Sequence, residues 1–167
     1  MIIRWMTTIV FIIIILVLSA EDIAAQPWSL NVSGKVKHPM TITGRNFQNM
    51  PHLKVAVTDS KGATDNFEGV SLYYLLDLAG APLGDSTEGK NQTWYLQAGA
   101  IDGYKVIFAL PEIDTSFTKN RIIVADRKNG GELNQKEAPL EIVVQHEQRH
   151  ARWIRQLTTL KVLQSAE

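Results

Sequence analysis

The chain has 167 residues and carries 17 lysines and arginines against 17 aspartates and glutamates, so its formal net charge is zero. A balanced charge does not favour nucleic acid as a partner, because proteins that bind nucleic acid concentrate positive charge on their surface. The chain has no cysteine, which excludes disulfides, thiolate metal sites and a cysteine nucleophile.

Residues 1–25 have the organisation of a secretory signal peptide. The positive side chain of Arg4 is followed by an apolar run at residues 9–18 and by small residues that end at Ala25. The run is about half of the roughly 20 residues that cross a bilayer as a helix, which favours cleavage after Ala25 over an uncleaved membrane anchor. We therefore expect a periplasmic protein in which residues 26–167 form a single domain.

Seven stretches are predicted to be β-strands. Four are short segments bounded by turn residues, at 28–36, 53–57, 93–96 and 104–110. Two are apolar runs typical of buried strands, at 121–125 and 140–144. The last, 157–163, is assigned to a strand because it contains two β-branched threonines. Turns or loops are predicted at 59–62, 102–103 and 126–131, and residues 112–117 form a link that can hold a helical turn.

One helix is clearly indicated. Four apolar residues recur at the i, i+3, i+4 and i+7 positions of a helix face: Leu72, Leu75, Leu76 and Ala79. Ser71 precedes them as an N-cap and Gly80 follows them as a C-cap, so a helix is predicted over 72–79. Many short strands with one helix predict an α+β fold with mainly antiparallel or mixed sheets.

Residues 146–150, HEQRH, match the H-E-x-x-H zinc motif. On a helix, His146 and His150 would share a face and could hold zinc, with Glu147 activating water. Three features oppose this: Arg149 lies inside the motif, no Asp, Glu or His follows between residues 151 and 166, and a buried strand enters the motif directly. We interpret the segment as a polar loop and keep a zinc metallopeptidase as an alternative.

Residues 145–161 carry a local excess of positive charge. The segment contains one acidic residue, Glu147. Its four basic residues are Arg149, Arg152, Arg155 and Lys161. Guanidinium groups suit phosphate, and the interleaved Trp153 offers a face to a flat heterocycle. The spacing fits a binding site as well as it fits a solvated basic edge with Trp153 partly in the core.

Several segments, in their order and spacing, resemble the sulfite-oxidase-like molybdopterin-binding domain. They are GKV at 34–36, FEGVSLYYLLDLAG at 67–80, AIDGY at 100–104, ADRKNG at 125–130, and APLEIVV at 138–144 running into HARWIR at 150–155. The resemblance covers nearly all of residues 28–163. It implies that family's α+β fold, with mixed or antiparallel sheets and few helices, and a pterin site in which basic residues hold the cofactor phosphate.

The resemblance implies a set of cofactor-binding residues: His150, Arg152, Trp153, Arg155, Arg127, Asp102 and Tyr104. His150 and Arg152 fall in the segment that holds phosphate, and Arg127, Asp102 and Tyr104 approach the pterin or the substrate. A pterin is expected to stack on Trp153 or Tyr104, with Asp102 accepting from its amino group. The variants Trp153→Ala and Arg152→Ala are expected to weaken pterin binding and leave the fold intact.

One departure from the family decides the predicted activity. Family enzymes bind molybdenum through a cysteine, and the corresponding residues here, 55–59, read VAVTD. A threonine hydroxyl does not ionise near neutral pH, whereas a thiol readily does at a metal. We therefore predict a non-catalytic protein that binds a pterin, or molybdopterin without molybdenum. It would sense or carry the pterin for a partner such as the periplasmic domain of an inner-membrane signalling protein.

Two other functions stay open at this point. The first is a molybdenum-cofactor oxidoreductase of the sulfite oxidase type, with an unusual ligand in place of sulfur. The second is a purely structural partner of a membrane protein, whose basic edge meets an acidic surface.

Overall fold

The computed structural model describes residues 27–59, 61–84, 92–147 and 149–165. The predicted signal peptide, residues 1–25, lies outside this part of the chain. Within the described residues, no helix has the length and apolar character needed to cross a membrane.

The described residues form ten strands, numbered in chain order, in two sheets. The first sheet contains β1 (Ser29–Gly34), β2 (Met40–Thr43), β5 (Trp94–Ala100), β6 (Lys105–Ala109) and β10 (Leu157–Gln164), in the spatial order β2-β1-β10-β5-β6. Strands β1 and β10 are parallel, and the other neighbours are antiparallel. Strand β10 therefore lies at the centre of this sheet, paired on both sides.

The second sheet is antiparallel. It contains β3 (His52–Thr58), β4 (Thr64–Ser71), β7 (Ile122–Lys128), β8 (Gly131–Glu132) and β9 (Glu141–Val144). The order is β3-β4-β7-β8, and β9 also pairs with β7. Two mostly antiparallel sheets with few helices confirm the predicted α+β class.

The helices are short: α1 (Gly44–Gln48), α2 (Leu72–Leu78) and α3 (Leu110–Ile113), with a 3-10 turn at His150–Arg152. Helix α2 is the one that the sequence predicted. The Ser71 hydroxyl accepts a hydrogen bond from the Tyr74 N–H at 3.5 Å, and Gly80 follows the helix with a φ of +69°. The leucines of the predicted apolar face are fully buried, and α2 packs against β4 and β7.

All seven predicted strands are confirmed, with shifts of up to four residues at their ends. The predicted loop at 126–131 is wrong, because β7 continues to Lys128 and turns through Asn129 and Gly130 into β8. Strand β2, helix α1 and strand β4 were not predicted. Strand β4 lacks a strand-like pattern because it contains polar residues and Gly69, where a Cβ atom would lie only 2.1 Å from the Val124 carbonyl oxygen.

Candidate functional site

A small polar cleft lies where the end of β3, the strands β4 and β7, and the segment 137–155 meet. Its volume is about 60 Å³. Its apolar wall consists of Val57, Phe67 and Trp153. Its charged or titratable side chains are Asp59, Asp65, Glu137, Glu141, Lys128, Arg155 and His150. We call this site the polar cleft.

Two carboxylates in the polar cleft are buried and only partly paired. Glu141 belongs to the fully buried strand β9 and is 1% exposed. Its Oε1 accepts from Nε of Arg155 at 3.3 Å, and its Oε2 has no hydrogen-bond partner among the described residues. Glu137 lies nearby with an Oε2 that is likewise buried and unpartnered. Burial and the charge of Glu137 raise the pKa of Glu141 to about 7, in spite of Arg155 and Lys128.

Lys128 is the second cation of the polar cleft, and it is already neutralised. Its Nζ lies 2.9 Å from Oδ2 of Asp65, 4.0 Å from Oε1 of Glu137 and 5.1 Å from the centre of the Phe67 ring. Burial lowers the pKa of Lys128, but the hydrogen bond to Asp65 and the nearby carboxylates raise it above its usual value overall. The carboxylates of the cleft thus outnumber its lysine and arginine, which disfavours a doubly charged phosphate there.

Trp153 lies in the wall of the polar cleft as a core residue. It is 7% exposed, and its Nε1 is buried without a partner among the described residues. The exposed His150 ring stacks on it with 3.7 Å between the ring centres and an interplanar angle of 11°. The Phe67 ring meets it edge to face at 5.5 Å. The expectation that Trp153→Ala leaves the fold intact does not suit a tryptophan packed this closely.

Arg152 does not line the polar cleft. Its Nε lies 2.7 Å from Oε1 of Glu147 and its Nη1 lies 2.8 Å from Oε2 of Glu112, while its guanidinium covers the Phe108 ring at 4.8 Å. The structure therefore sends Arg152 and Arg155 to different carboxylates and does not bring them together. Two of the four basic side chains of segment 145–161 are thus paired with carboxylates, and Glu112 and Glu141 come from outside that segment.

Asp102 and Tyr104 form the turn between β5 and β6, outside the polar cleft. The Asp102 carboxylate accepts from the Tyr104 N–H at 2.9 Å. The Tyr104 hydroxyl donates to the Ala151 carbonyl oxygen at 2.9 Å. This turn is thereby tied to the 3-10 turn that carries His150, so it supports the cleft without lining it.

Arg127 lines a different space, a large cavity of about 750 Å³. It faces Glu132 directly in the pairing of β7 with β8. Asp126 lines the same cavity, with its Oδ1 3.3 Å from Nε2 of His52 but outside hydrogen-bond geometry. Burial raises the pKa of Asp126 in spite of His52. Nδ1 of His52 lies 2.8 Å from the Met50 carbonyl oxygen, which can only accept, so Nδ1 carries a proton.

The described part of the HEQRH segment is a turn followed by the start of the 3-10 turn, as the loop interpretation predicted. Its glutamate, Glu147, is paired with Arg152. In the described ranges, no cluster of three or more His, Asp or Glu side chains is placed to hold a metal ion. The geometry that the zinc motif requires, two histidines on one helix face, is not formed there.

Comparisons with known proteins support the fold. No family model matches the chain, and no curated protein matches it. Among solved structures, the chain is similar to the sulfane dehydrogenase SoxCD from Paracoccus pantotrophus, with a TM-score of 0.65 and 16% sequence identity. The match covers 83% of this chain and 39% of that one, so this chain spans well under half of its length. This likeness is consistent with the sulfite-oxidase-like domain that the sequence resembles.

The residues of the polar cleft fit only part of the cofactor that the resemblance implies. The position expected for a metal-binding cysteine is the end of β3, and there Val57 and Asp59 line the cleft while the Thr58 hydroxyl bonds the Thr64 hydroxyl at 2.9 Å. No thiolate is available, and the carboxylates disfavour the phosphate. The unpartnered buried atoms of Glu137, Glu141 and Trp153 do fit a neutral polar ring.

Sequence reasoning found three residues of the polar cleft, His150, Trp153 and Arg155, and missed its carboxylates and lysine. One signal was present for Glu141, which is a charged residue inside the apolar run 140–144. A charge in a strand that is buried on both faces requires a partner or a function. No comparable local signal marked Lys128 or Asp65, because their pairing depends on two distant strands.

Proposed function

We propose that this chain binds a pterin at the polar cleft and performs no molybdenum chemistry. The observation that supports this best is the position of the cleft. It lies at the end of β3, where the resemblance aligns the cofactor site, and it contains three buried polar atoms that have no partner in the described part of the chain. Native proteins satisfy almost all buried polar atoms, so such a cluster indicates a ligand or ordered water.

The charge of the polar cleft favours a pterin without a phosphate tail over molybdopterin. Lys128 and Arg155 are held by carboxylates, and Arg152 is held outside the cleft. A phosphate would have to displace those carboxylates and then lie beside them. A neutral ring that donates hydrogen bonds meets no such repulsion.

The polar cleft has room for a few water molecules, since one water needs roughly 10–15 Å³. A pterin therefore places its polar edge in the cleft, and the rest of the ring requires the exposed His150 to move aside. His150 is suited to this movement because it is exposed and belongs to a three-residue 3-10 turn.

The proposal is tested on protein purified from its native host, first by its near-ultraviolet absorbance and then by calorimetric titration with pterin. We expect either retained pterin or saturable binding of one pterin per chain. Adenine is the control, because it is a flat heterocycle of similar size without the amino-oxo edge, and it should not bind. If neither a retained nor an added pterin is found on the protein, the proposed function is wrong.

Export to the periplasm and service to a membrane signalling partner stay predictions from the sequence. Detection of the protein in a periplasmic extract checks the first, and co-purification from solubilised membranes checks the second. A structural partner would persist in such a complex when pterin synthesis is blocked, whereas a pterin sensor would lose or change its association.

A further inference from the structure

We infer that the polar cleft recognises the 2-amino-4-oxo edge of a pyrimidine-containing bicyclic ring, with Glu137 and Glu141 as acceptors and the Trp153 Nε1 as the donor. This inference rests on the proposed function and names the chemistry by which the site chooses its ligand. Neither carboxylate was among the residues that the resemblance implied.

Three buried polar atoms without partners among the described residues belong to side chains of the polar cleft. Oε2 of Glu137, Oε2 of Glu141 and Nε1 of Trp153 are buried without a hydrogen-bond partner among the described residues, and all three side chains line the polar cleft. A buried polar atom without a partner destabilises the fold. Two acceptors and one donor at one cleft therefore define what a ligand there must offer.

The contacts of Arg155 and Lys128 leave one oxygen of each carboxylate free to accept a hydrogen bond from a ligand. Arg155 contacts only Oε1 of Glu141, and its guanidinium side chain is 56% exposed. Lys128 lies closer to Asp65, at 2.9 Å, than to Glu137, at 4.0 Å. Arg155 therefore holds one oxygen of Glu141, Lys128 attracts one oxygen of Glu137, and the other oxygen of each carboxylate has no partner among the described residues.

The hydrogen-bonding groups of the polar cleft are complementary to those of a 2-amino-4-oxo ring. A 2-amino-4-oxo ring presents an amino donor, an N3–H donor and a carbonyl acceptor side by side. When Glu137 and Glu141 are both ionised, two carboxylate oxygens match the two donors, and an indole N–H matches the carbonyl. An ionised carboxylate accepts a stronger hydrogen bond than a neutral group does, so two carboxylates favour a ligand that donates two hydrogen bonds. Guanine has the same edge, and the chemistry is therefore shared by pterins and guanine nucleosides.

The test measures binding of pterin and of lumazine, in which an oxo group replaces the 2-amino group, by calorimetric titration. Wild-type protein should bind lumazine about tenfold or more weakly than pterin, because an acceptor then faces a carboxylate. Glu141→Gln should weaken pterin binding by about tenfold and reduce the preference over lumazine. Trp153→Phe keeps the aromatic ring and removes the N–H, and it should also weaken pterin binding.

The matched control is Asp126→Asn, which neutralises a buried carboxylate at the large cavity and should leave pterin affinity unchanged. Circular dichroism establishes that each variant is folded. Guanosine has the same amino-oxo edge. If it binds, and Glu141→Gln weakens its binding as much as that of pterin, the site recognises this edge in pterins and guanine nucleosides alike.

Three results would overturn the inference. First, pterin could bind with an affinity that neither Glu141→Gln nor Trp153→Phe changes. These residues would then not recognise the amino-oxo edge, although the proposed function would survive. If Asp126→Asn alone weakens binding, the ligand occupies the large cavity. If every variant weakens binding equally, the effect is on the fold. Absence of any pterin binding to the wild-type protein would remove the proposed function itself.

Discussion

Glu141 is a buried carboxylate whose pKa is strongly raised by its surroundings. It lies in a strand whose four residues are all buried, and one of its oxygens has no partner among the described residues. Its ionised form is disfavoured by burial and by Glu137, which raises its pKa to about 7. Such a side chain weakens the fold when it is charged.

Stability should therefore depend on pH through Glu141. Its folded pKa of about 7 lies above the ordinary value of 4.5, so the folded state holds the proton more tightly than the unfolded state. Ionised Glu141 lowers the free energy of unfolding. This loss grows as the pH rises from 4.5 to 7 and is complete above that range. We expect wild-type protein to lose on the order of 1–3 kcal/mol of unfolding free energy relative to Glu141→Gln across this window.

Urea unfolding of both proteins at pH 5, 6, 7 and 8 measures this difference. Other titrating groups are common to the two proteins, so their contributions cancel in the comparison. Parallel stability curves for the two proteins would show that Glu141 does not titrate in this range.

At the scale of elements, the pairing of β4 with β7 depends on Gly69. The register of the two strands shifts between Glu68 and Gly69, and there the strands approach so closely that no Cβ atom fits. A Cβ at Gly69 would lie 2.1 Å from the Val124 carbonyl oxygen and 2.5 Å from Cα of Ala125. Backbone atoms of a central strand cannot move aside cheaply, so the glycine is required by packing.

Gly69→Ala should destabilise the protein by about 3 kcal/mol or more, because the added methyl group forces the two strands apart. Gly62→Ala is the matched control. Gly62 has a φ of +85° but nothing within 4 Å of its Cβ position, so only the left-handed backbone conformation is penalised, by about 1 kcal/mol. Thermal or urea unfolding compares the two variants, and an equal loss in both would refute the packing explanation.

At the scale of the whole molecule, the first sheet depends on a pairing between its most distant segments. Strand β1 lies beside β10 in parallel, with Asn31 opposite Thr159 and Val32 opposite Leu160. Strand β10 also pairs with β5, so its hydrogen-bonding groups face neighbours on both sides. Strands β2 and β6 form the edges of the sheet.

Hydrogen exchange should reflect this topology. Backbone amides of β10 between Thr159 and Leu163 should exchange much more slowly than those of β2, because an edge strand opens without disturbing the rest of the sheet. Native-state exchange monitored by NMR measures both sets in one sample. Equal protection of β2 and β10 would contradict the central position of β10.

Much of the fold followed from local sequence patterns, and little of the site did. The helix over 72–78 was predictable because Ser71, the leucine spacing and Gly80 act within a few residues. Strand β4 was not predictable in this way, since its polar residues and Gly69 suit a strand only because β3 and β7 flank it. Of the cleft residues, Trp153 and Arg155 were marked by the basic segment 145–161, and His150 by the resemblance.

The sequence by itself determined the α+β class, the absence of any thiolate and the positions of seven strands and one helix, because capping, alternation and composition are local properties. Only the tertiary structure decided which charges meet. It pairs Arg152 with Glu112 and Glu147, and Arg155 with Glu141, so two of the four basic side chains of segment 145–161 lie beside carboxylates. Electrostatic energy depends on the distance between groups in space, and sequence separation does not determine that distance.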